Sequence, residues 1–110
     1  PPAKVLALDC DGILWGGVLG EDGPDGIGLA EDGLQRGFVQ FQKQVKSLKD
    51  RGVLLVLVSR NEEKDVWQIF DSHPSMILRR EDIAAWRINW NPKSRGVREI
   101  AAELNLGLDS

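Results

Sequence analysis

The sequence has little cysteine or histidine and no long apolar run. Cys10 is the single cysteine and His73 the single histidine among 110 residues. One cysteine cannot form an internal disulfide, and it excludes a zinc site built from several cysteines. The longest apolar run, Val53 to Val58, is far shorter than the roughly 20 residues that a membrane-spanning helix needs. The start of the chain shows no signal-peptide pattern, so we predict a cytoplasmic protein without a membrane partner.

Basic residues are also missing from most of the first third of the chain. Between Val5 and Gln35 there are seven acidic residues and no lysine or arginine, and the net charge of the whole chain is -3. Because phosphate repels carboxylate, this distribution argues against nucleic acid as a partner. It suits a divalent cation, although the acids from Glu21 to Asp32 are more simply explained as a solvated loop.

What is present has the composition of one small globular domain. Hydrophobic residues make up 42% of the chain and charged residues 28%, a balance that makes disorder of the whole chain improbable. A length of 110 residues supports a single domain, which we predict over residues 1–110. The start at Pro1-Pro2, without methionine, suggests a piece of a longer protein.

The first half of the chain alternates between extended and helical patterns. Val5–Leu8 is predicted to be a buried strand. The glycine-rich segment 12–33 is predicted to be a small flap with a hairpin turn at Gly16-Gly17. An amphipathic helix follows, which Gly52 ends. The buried stripe of this helix is predicted to consist of Leu34, Phe38, Phe41, Val45 and Leu48.

The second half continues the alternation. Residues 53–58 form an unbroken apolar run, which predicts a strand buried on both faces. A helix capped by Asn61 is expected to end at His73-Pro74. A third strand is predicted at 76–78, with a second extended piece at 86–90. The last helix is expected to begin at Asn91-Pro92. Its predicted buried stripe is Val97, Ile100, Ala101 and Leu104, and its predicted stop is Gly107.

This order of strands and helices predicts the fold class. Strands that alternate with helices form a parallel α/β sheet with right-handed crossovers. Such sheets bind ligands at the carboxyl ends of their strands. Residues that directly follow a predicted strand are therefore the first candidates for a functional site.

Two carboxylates follow the first predicted strand. Asp9 and Asp11 are two residues apart, so both side chains can face one cavity. One carboxylate could attack phosphorus while the other moves protons, and Mg²⁺ would relieve their mutual repulsion. Gly12 would permit an unusual turn beside them. The alternative is that the two acids only cap the turn.

A serine and a lysine further along the chain are candidates for the same site as the two carboxylates. Ser59 ends the second strand, where its hydroxyl could reach the same crevice or begin a helix cap. Lys93 and Arg95 lie in the first turn of the last helix, where each cation opposes the helix dipole at a cost of about 0.3–1 kcal/mol. A bound phosphate would offset that cost. The alternative is that Lys93 and Arg95 are simply exposed and bind no phosphate, and that the helix tolerates this small cost.

These positions carry a family resemblance. Val5–Leu14 resembles the first motif of the haloacid dehalogenase (HAD) superfamily, Ser59 its second motif and Lys93 its third. Three further segments are similar to the FkbH-like domain of polyketide biosynthesis, a member of HAD subfamily IIIC. They are Leu14–Gly23, Ser59-Arg60-Asn61 and Ala101–Ser110.

The resemblance implies a fold, an activity and partners. The implied fold is a Rossmann-like three-layer α/β sheet with a small flap and no large cap. The implied activity takes a glyceryl unit from 1,3-bisphosphoglycerate, removes phosphate and loads the unit as a thioester on the phosphopantetheine arm of an acyl carrier protein. The cofactor would be Mg²⁺, and the domain could belong to a larger polyketide synthase. The alternatives are a small Mg²⁺-dependent phosphatase without a carrier protein and a non-catalytic docking module of a synthase.

The resemblance also implies roles for individual residues. Asp9 would be the nucleophile and a Mg²⁺ ligand. Asp11 would be the general acid and base, with its backbone carbonyl also on the metal. Ser59 and Lys93 would hold the phosphoryl oxygens, and the remaining residues implied in substrate binding are Gly12, Arg60 and Asn61. The fourth HAD motif should follow Ser110, so we expect a chain truncated before it, with weak Mg²⁺ binding and poor turnover.

Two further side chains near the acids, those of Cys10 and Trp15, each have more than one possible role. Cys10 is a candidate acyl carrier, since the product is a thioester. Against this, chain alternation would turn Cys10 away from Asp9 and Asp11, and the carboxylates would raise its pKa. Trp15, next to Gly16-Gly17, is a candidate wall of the substrate site. The other tryptophans are expected in the core or on a partner-facing surface, and His73 is expected at a helix end.

Overall fold

The computed structural model describes residues 4–105. Its strands and helices alternate along the chain in the predicted manner, with one-turn 3₁₀ segments at Gly33–Gln35 and Arg80–Asp82. In chain order the elements are β1 (Val5–Leu8), α1 (Leu19–Asp22), α2 (Arg36–Asp50), β2 (Leu54–Ser59), α3 (Glu63–Ser72), β3 (Ile83–Ile88) and α4 (Lys93–Glu103).

The three strands form one parallel sheet in the order β1-β2-β3. Leu8 at the end of β1 pairs with Leu57 of β2, and Ser59 at the end of β2 pairs with Ile88 of β3. The central strand is buried along nearly its whole length, as its unbroken apolar sequence predicts. All three strands therefore end at the same edge of the sheet.

Helices cover both faces of the sheet. Leu55 and Leu57 of β2 belong to the larger core, together with residues of α2 and α3. Val56 and Val58 face the other way and pack with Ile100 of α4. This alternation follows from the two-residue period of a strand. The result is the Rossmann-like three-layer α/β arrangement that the sequence predicts. No helix within residues 4–105 is long and apolar enough to cross a membrane.

The third strand lies at Ile83–Ile88, and the prediction of a strand at 76–78 is wrong. The backbone N–H groups of Ile77 and Leu78 donate to Oε1 of Gln42, at 2.9 and 3.1 Å. A buried side chain thus takes the place of a neighbouring strand for this apolar segment. Gln42 also donates from Nε2 to the carbonyl of Leu14, at 2.7 Å.

The buried faces of two helices differ from the predicted stripes. Leu34 precedes α2 and is 98% exposed, and Leu48 is also exposed. The buried residues of α2 are Val39, Gln42 and Val45, with Phe38 and Phe41 packed partly against the core. In α4, Val97 is exposed, because the helix approaches the sheet at Gly96. A Cβ on Gly96 would lie 3.1 Å from Cβ of Arg87. Gly107 lies outside the described residues.

The flap segment packs against the core and contains no hairpin at Gly16-Gly17. Gly16 instead pairs with Gly28 through two backbone hydrogen bonds of 2.8 Å, and Leu19 begins α1. A side chain at Gly28 would collide with Gln35, whose Cδ would be 2.5 Å from the added Cβ. Gly28 therefore allows close packing against Gln35.

His73 lies at the end of α3, as predicted. Its backbone N–H donates to the carbonyl of Ile69 at 3.0 Å. Its Nδ1 accepts a hydrogen bond from the N–H of Ser75 at 3.1 Å. The histidine therefore closes a helix end.

Candidate active site

The candidate residues from three elements meet at the carboxyl edge of the sheet. Asp9 directly follows β1, and Lys93 is the first residue of α4. Nζ of Lys93 donates to Oδ2 of Asp9, and the two residues are 84 positions apart in the sequence. Oδ1 of Asp9 accepts the backbone N–H of Cys10 at 2.7 Å. The fold thus brings the predicted nucleophile and the predicted phosphate-binding cation together.

The loop after β1 is a tight turn that depends on Gly12. The carbonyl of Cys10 accepts the N–H groups of Ile13 at 3.1 Å and Leu14 at 2.9 Å. Gly12 has a φ of 76°, and its N–H donates to the carbonyl of Trp15 at 2.8 Å. Glycine adopts this left-handed conformation without the strain that a side chain would add. The predicted structural use of Gly12 is confirmed.

Three donors hold the carboxylate of Asp11. Its Oδ1 accepts the indole N–H of Trp15 at 3.0 Å and the backbone N–H of Leu19 at 3.1 Å. Its Oδ2 accepts Nδ2 of Asn61 at 3.3 Å. The side chain therefore has a defined orientation, and Oδ2 keeps a free lone pair.

Trp15 is a positioning residue and does not form a wall of the site. Its side chain is completely buried, so it offers no surface to a substrate, contrary to the sequence prediction. The ring fills the core, and its one polar atom donates to Asp11. Buried indole N–H groups usually find such a partner. Nothing in the sequence pattern indicates that this partner is Asp11.

Asn61 serves the site and does not cap α3. That helix begins at Glu63, with Glu62 at its N-cap and no capping bond from a side chain. Asn61 is 3% exposed, and its Nδ2 donates to Oδ2 of Asp11 and to Oγ of Ser59, the latter at 3.0 Å. A buried amide needs such partners, and the geometry supplies both.

Ser59 and Arg60 differ in how they relate to the site. Ser59 is 2% exposed, and its hydroxyl accepts the hydrogen bond from Asn61. Arg60 is exposed on the turn after β2. We call Asp9 and Asp11 the acidic pair. Of the three residues at 59–61, only Asn61 contacts a carboxylate of this pair. A direct contact of Ser59 or Arg60 with phosphate stays a prediction.

Cys10 is buried and points away from the acidic pair. Its side chain has no exposed surface, whereas Asp9 and Asp11 are partly exposed. The pKa of the Cys10 thiol is raised to about 12, chiefly by burial. The charges of the two aspartates add to the rise, and a hydrogen bond with Ser59 and the charge of Lys93 oppose it. The thiol is thus protonated and inaccessible in this structure. The role of acyl carrier does not fit it.

The site has more negative than positive charge. Within residues 4–105, Lys93 is the one cation that pairs with either of these two carboxylates, and it contacts Asp9, whose side chain is 32% exposed. Arg95 pairs with Glu99 along α4 at 3.4 Å. A divalent cation would balance the surplus.

The oxygen ligands that the site offers suit Mg²⁺. Within residues 4–105 no group of three or more histidine, cysteine, aspartate or glutamate side chains could hold a metal ion. Mg²⁺ needs fewer protein ligands, because it binds through one or two carboxylates and keeps waters or substrate phosphate in its other positions. Asp9, Asp11 and the backbone carbonyl of Asp11 offer hard oxygen atoms of this kind.

The chain is similar to a solved structure of a phosphatase-containing protein. That structure is the N-terminal part of the protein BF1531 from Bacteroides fragilis, which contains a phosphatase domain and is complexed with Mg. The TM-score is 0.93 and the sequence identity 39%. The match covers 98% of this chain and 29% of that chain, so the present chain spans less than a third of the solved one. No protein-family description and no curated protein matches the chain.

Proposed function

We propose that the chain is a Mg²⁺-dependent phosphatase-type domain of the HAD superfamily. The observation that carries this proposal is the pairing of Asp9, at the free end of β1, with Lys93 at the start of α4. Asp11 lies two residues further on, and three donors hold it. The similarity to a phosphatase domain complexed with Mg supports the same conclusion.

In the first step a phosphoryl group would move to Asp9. A carboxylate oxygen of Asp9 attacks phosphorus, and the bond between phosphorus and the ester oxygen breaks. Asp11 in its protonated form gives its proton to the departing oxygen. Lys93 binds the phosphoryl oxygens and compensates the negative charge that develops on them.

In the second step water would remove the phosphoryl group. The water oxygen attacks phosphorus and passes a proton to the carboxylate of Asp11, which was left ionised by the first step. The bond between phosphorus and Asp9 breaks, so inorganic phosphate leaves and the carboxylate of Asp9 is restored. The hydrogen bonds from Trp15, Leu19 and Asn61 keep Asp11 in one orientation during both steps.

Mg²⁺ would be held by the carboxylate of Asp9 and the backbone carbonyl of Asp11, which leaves the side chain of Asp11 to move protons. When bound, it supplies positive charge that offsets the repulsion between the carboxylates and the phosphoryl oxygens. Lys93 then remains free to exchange its contact with Asp9 for one with phosphate.

The test is phosphate release from a phosphate monoester by the 110-residue chain, with Mg²⁺ and with a chelator. We expect release only with Mg²⁺, and a loss of at least about 10³-fold in Asp9→Asn, because that variant lacks the nucleophile. Asp32→Asn removes an exposed acid and is the matched control. Equal rates in Asp9→Asn and the control would contradict the proposal. Because weak Mg²⁺ binding and poor turnover are expected of this chain, the assay uses a high Mg²⁺ concentration. Absence of both turnover and Mg²⁺ binding even then would favour a non-catalytic docking module.

We also propose the narrower activity, glyceryl transfer from 1,3-bisphosphoglycerate to the phosphopantetheine arm of an acyl carrier protein. The resemblance of Leu14–Gly23 and Ser59–Asn61 to the FkbH-like domain supports it. So does the packed flap, which leaves Asp9 and Lys93 partly exposed to a large partner. Because Cys10 is buried, the glyceryl unit would pass directly to the carrier thiol, without a cysteine-bound intermediate.

Intact-mass analysis of a carrier protein separates the two activities. We expect a glyceryl thioester on the carrier after incubation with the donor, and the same result with Cys10→Ala. Phosphate release without a thioester would leave the simple phosphatase as the function. A glyceryl adduct on this chain that disappears in Cys10→Ala would restore cysteine as the carrier.

A further inference from the structure

An apolar groove lies directly beside the acidic pair. Its volume is about 390 Å³, within the range of roughly 300–1,000 Å³ that is typical of small-molecule sites. Among the residues that the structure describes, no charged side chain lines it. The lining residues, which define the apolar groove, are Gly12, Ile13, Leu34, Gly37, Phe38 and Phe41.

The apolar groove and the candidate active site share the loop after β1. Gly12 belongs to the loop that carries Asp9 and Asp11, and it also lines the groove. It has no side chain, and a Cβ built on it would meet no atom within 4 Å. The wall of the groove nearest the acidic pair therefore carries no side chain at Gly12.

The residues of the groove expose apolar surface that the described part of the chain, residues 4–105, leaves uncovered. Leu34 is 98% exposed and Ile13 40% exposed. Gly37, on the first turn of α2, leaves open space, because a Cβ there would also meet nothing within 4 Å. Apolar surface gains free energy when a ligand removes it from water. The groove thus offers binding energy next to the reacting atoms.

We propose that the apolar groove binds the uncharged organic group of the phosphate ester whose phosphoryl group is placed at Asp9. This inference rests on the proposed phosphatase chemistry and is an alternative to the glyceryl activity, whose donor is polar. It adds the substrate class, an ester with a flexible apolar chain. The two ends of the substrate are recognised by different surfaces. Lys93 takes the charged end, and Ile13, Leu34 and the faces of Phe38 and Phe41 take the uncharged end.

The first experiment compares two monoesters of equal charge, hexyl phosphate and glycerol 1-phosphate. We expect kcat/KM to be about tenfold higher for hexyl phosphate, since each fully buried methylene is worth about fourfold and the groove is open on one side. Gly37→Leu fills the groove and favours the helix, so it should reduce this ratio to about one. Gln40→Leu adds the same side chain to an exposed position of α2 outside the groove and should preserve the ratio.

The second experiment does not depend on catalysis. 1-Hexanol is titrated into the chain, and backbone amide shifts are followed by NMR. Saturable shifts at Ile13, Leu34 and Phe38 that vanish in Gly37→Leu support the groove, even if neither ester is hydrolysed and the proposed function fails. Absence of both the shifts and the ester preference would overturn the inference. So would a dimer in sedimentation that dissociates in Leu34→Ser, because a second copy would then cover the groove.

Discussion

The two ends of the same sheet use aspartate and lysine in opposite ways. At the amino end of β3, Asp82 is paired with two lysines of α2, Lys46 at 2.7 Å and Lys49 at 3.5 Å. At the carboxyl end of β1, Lys93 pairs with Asp9, and Asp11 lies two residues further on without a lysine or arginine partner among the described residues. The first group has one carboxylate for two cations, and the second has two carboxylates for one.

The carboxylate of Asp82 is also more buried than that of Asp9 and contacts more donors. The side chain of Asp82 is only 3% exposed, and it accepts the N–H of Arg79 at 2.8 Å. Burial by itself would raise the pKa of Asp82, but the bonds from Lys46 and Arg79 and the lysine charges lower it below the ordinary value. Asp9, by contrast, keeps 32% of its side chain exposed.

This contrast separates a stabilising cluster from a binding site. A carboxylate whose charge and hydrogen bonds are fully satisfied stabilises the fold and has nothing left for a ligand. A pair with surplus negative charge and exposed surface can still bind a cation and a phosphate. Stability should therefore depend on the amino end of the sheet, and function on the carboxyl end.

The largest expected effect concerns the amino end. Asp82→Ala should lower the free energy of unfolding by about 3 kcal/mol, because it removes the charge paired with two lysines and the acceptor for Arg79. Denaturant unfolding measures the change. Asp82→Asn keeps the acceptor and should lose less than Asp82→Ala. Phosphate release per folded molecule should stay the same in both variants, and a loss of release would break the comparison.

The lowered pKa of Asp82 also predicts how the stability of the fold depends on pH. Because the folded-state pKa of Asp82 is depressed, its contribution to stability is present above its unfolded pKa, 3.8, and is lost as pH falls through the folded value. In acid unfolding, the stability difference between the wild-type chain and Asp82→Asn should therefore shrink as the pH falls below about 4. A difference that is constant with pH would mean that charge does not explain the effect.

A somewhat smaller effect is expected from Mg²⁺ at the carboxyl end. At a free Mg²⁺ concentration of about 100 times Kd, the stability of the folded chain should rise by about 2.7 kcal/mol. Thermal unfolding with and without the ion measures this rise. Asp9→Asn should abolish most of it, and Asp82→Asn should retain it. Equal stabilisation of both variants would show that the ion does not distinguish the two ends.

The smallest effect concerns the orientation of Asp11. Trp15→Phe keeps the ring in the core but removes the indole N–H that donates to Asp11. We expect kcat per folded molecule to fall about tenfold, or about 1.4 kcal/mol, with KM little changed. Trp86→Phe removes an indole bond to Glu63, which does not contact Asp9 or Asp11, and should leave kcat unaffected. A parallel loss in both variants would indicate a general effect on folding.

The predictable parts of this molecule are those that local pattern controls. The unbroken apolar run at 53–58 identifies the central strand, because both of its faces are covered by helices. The acidic pair directly after β1 is visible for the same reason, since a strand end is recognisable in sequence and parallel strands end at one edge. The alternation also predicts that Cys10 turns away from both acids.

The errors arise where a side chain bonds across the fold. Gln42 lies in an apolar stripe as a polar exception, and nothing nearby in sequence indicates that it receives the N–H groups of Ile77 and Leu78. Asn61 matches the pattern of a helix cap, yet its amide donates to Asp11, 50 positions earlier. Trp15 is correctly placed near the site, but its burial and its partner were not predictable.

The sequence alone determined the order of strands and helices, the acidic pair at the end of β1 and the lysine at the start of α4, because periodicity and element boundaries are local properties. The tertiary structure decided which groups meet there: Lys93 with Asp9, and Trp15 and Asn61 with Asp11. It also decided that Cys10 is buried and that Leu34 is exposed beside an apolar groove. Burial and long-range hydrogen bonds depend on how the whole chain packs, and no short stretch of sequence contains that information.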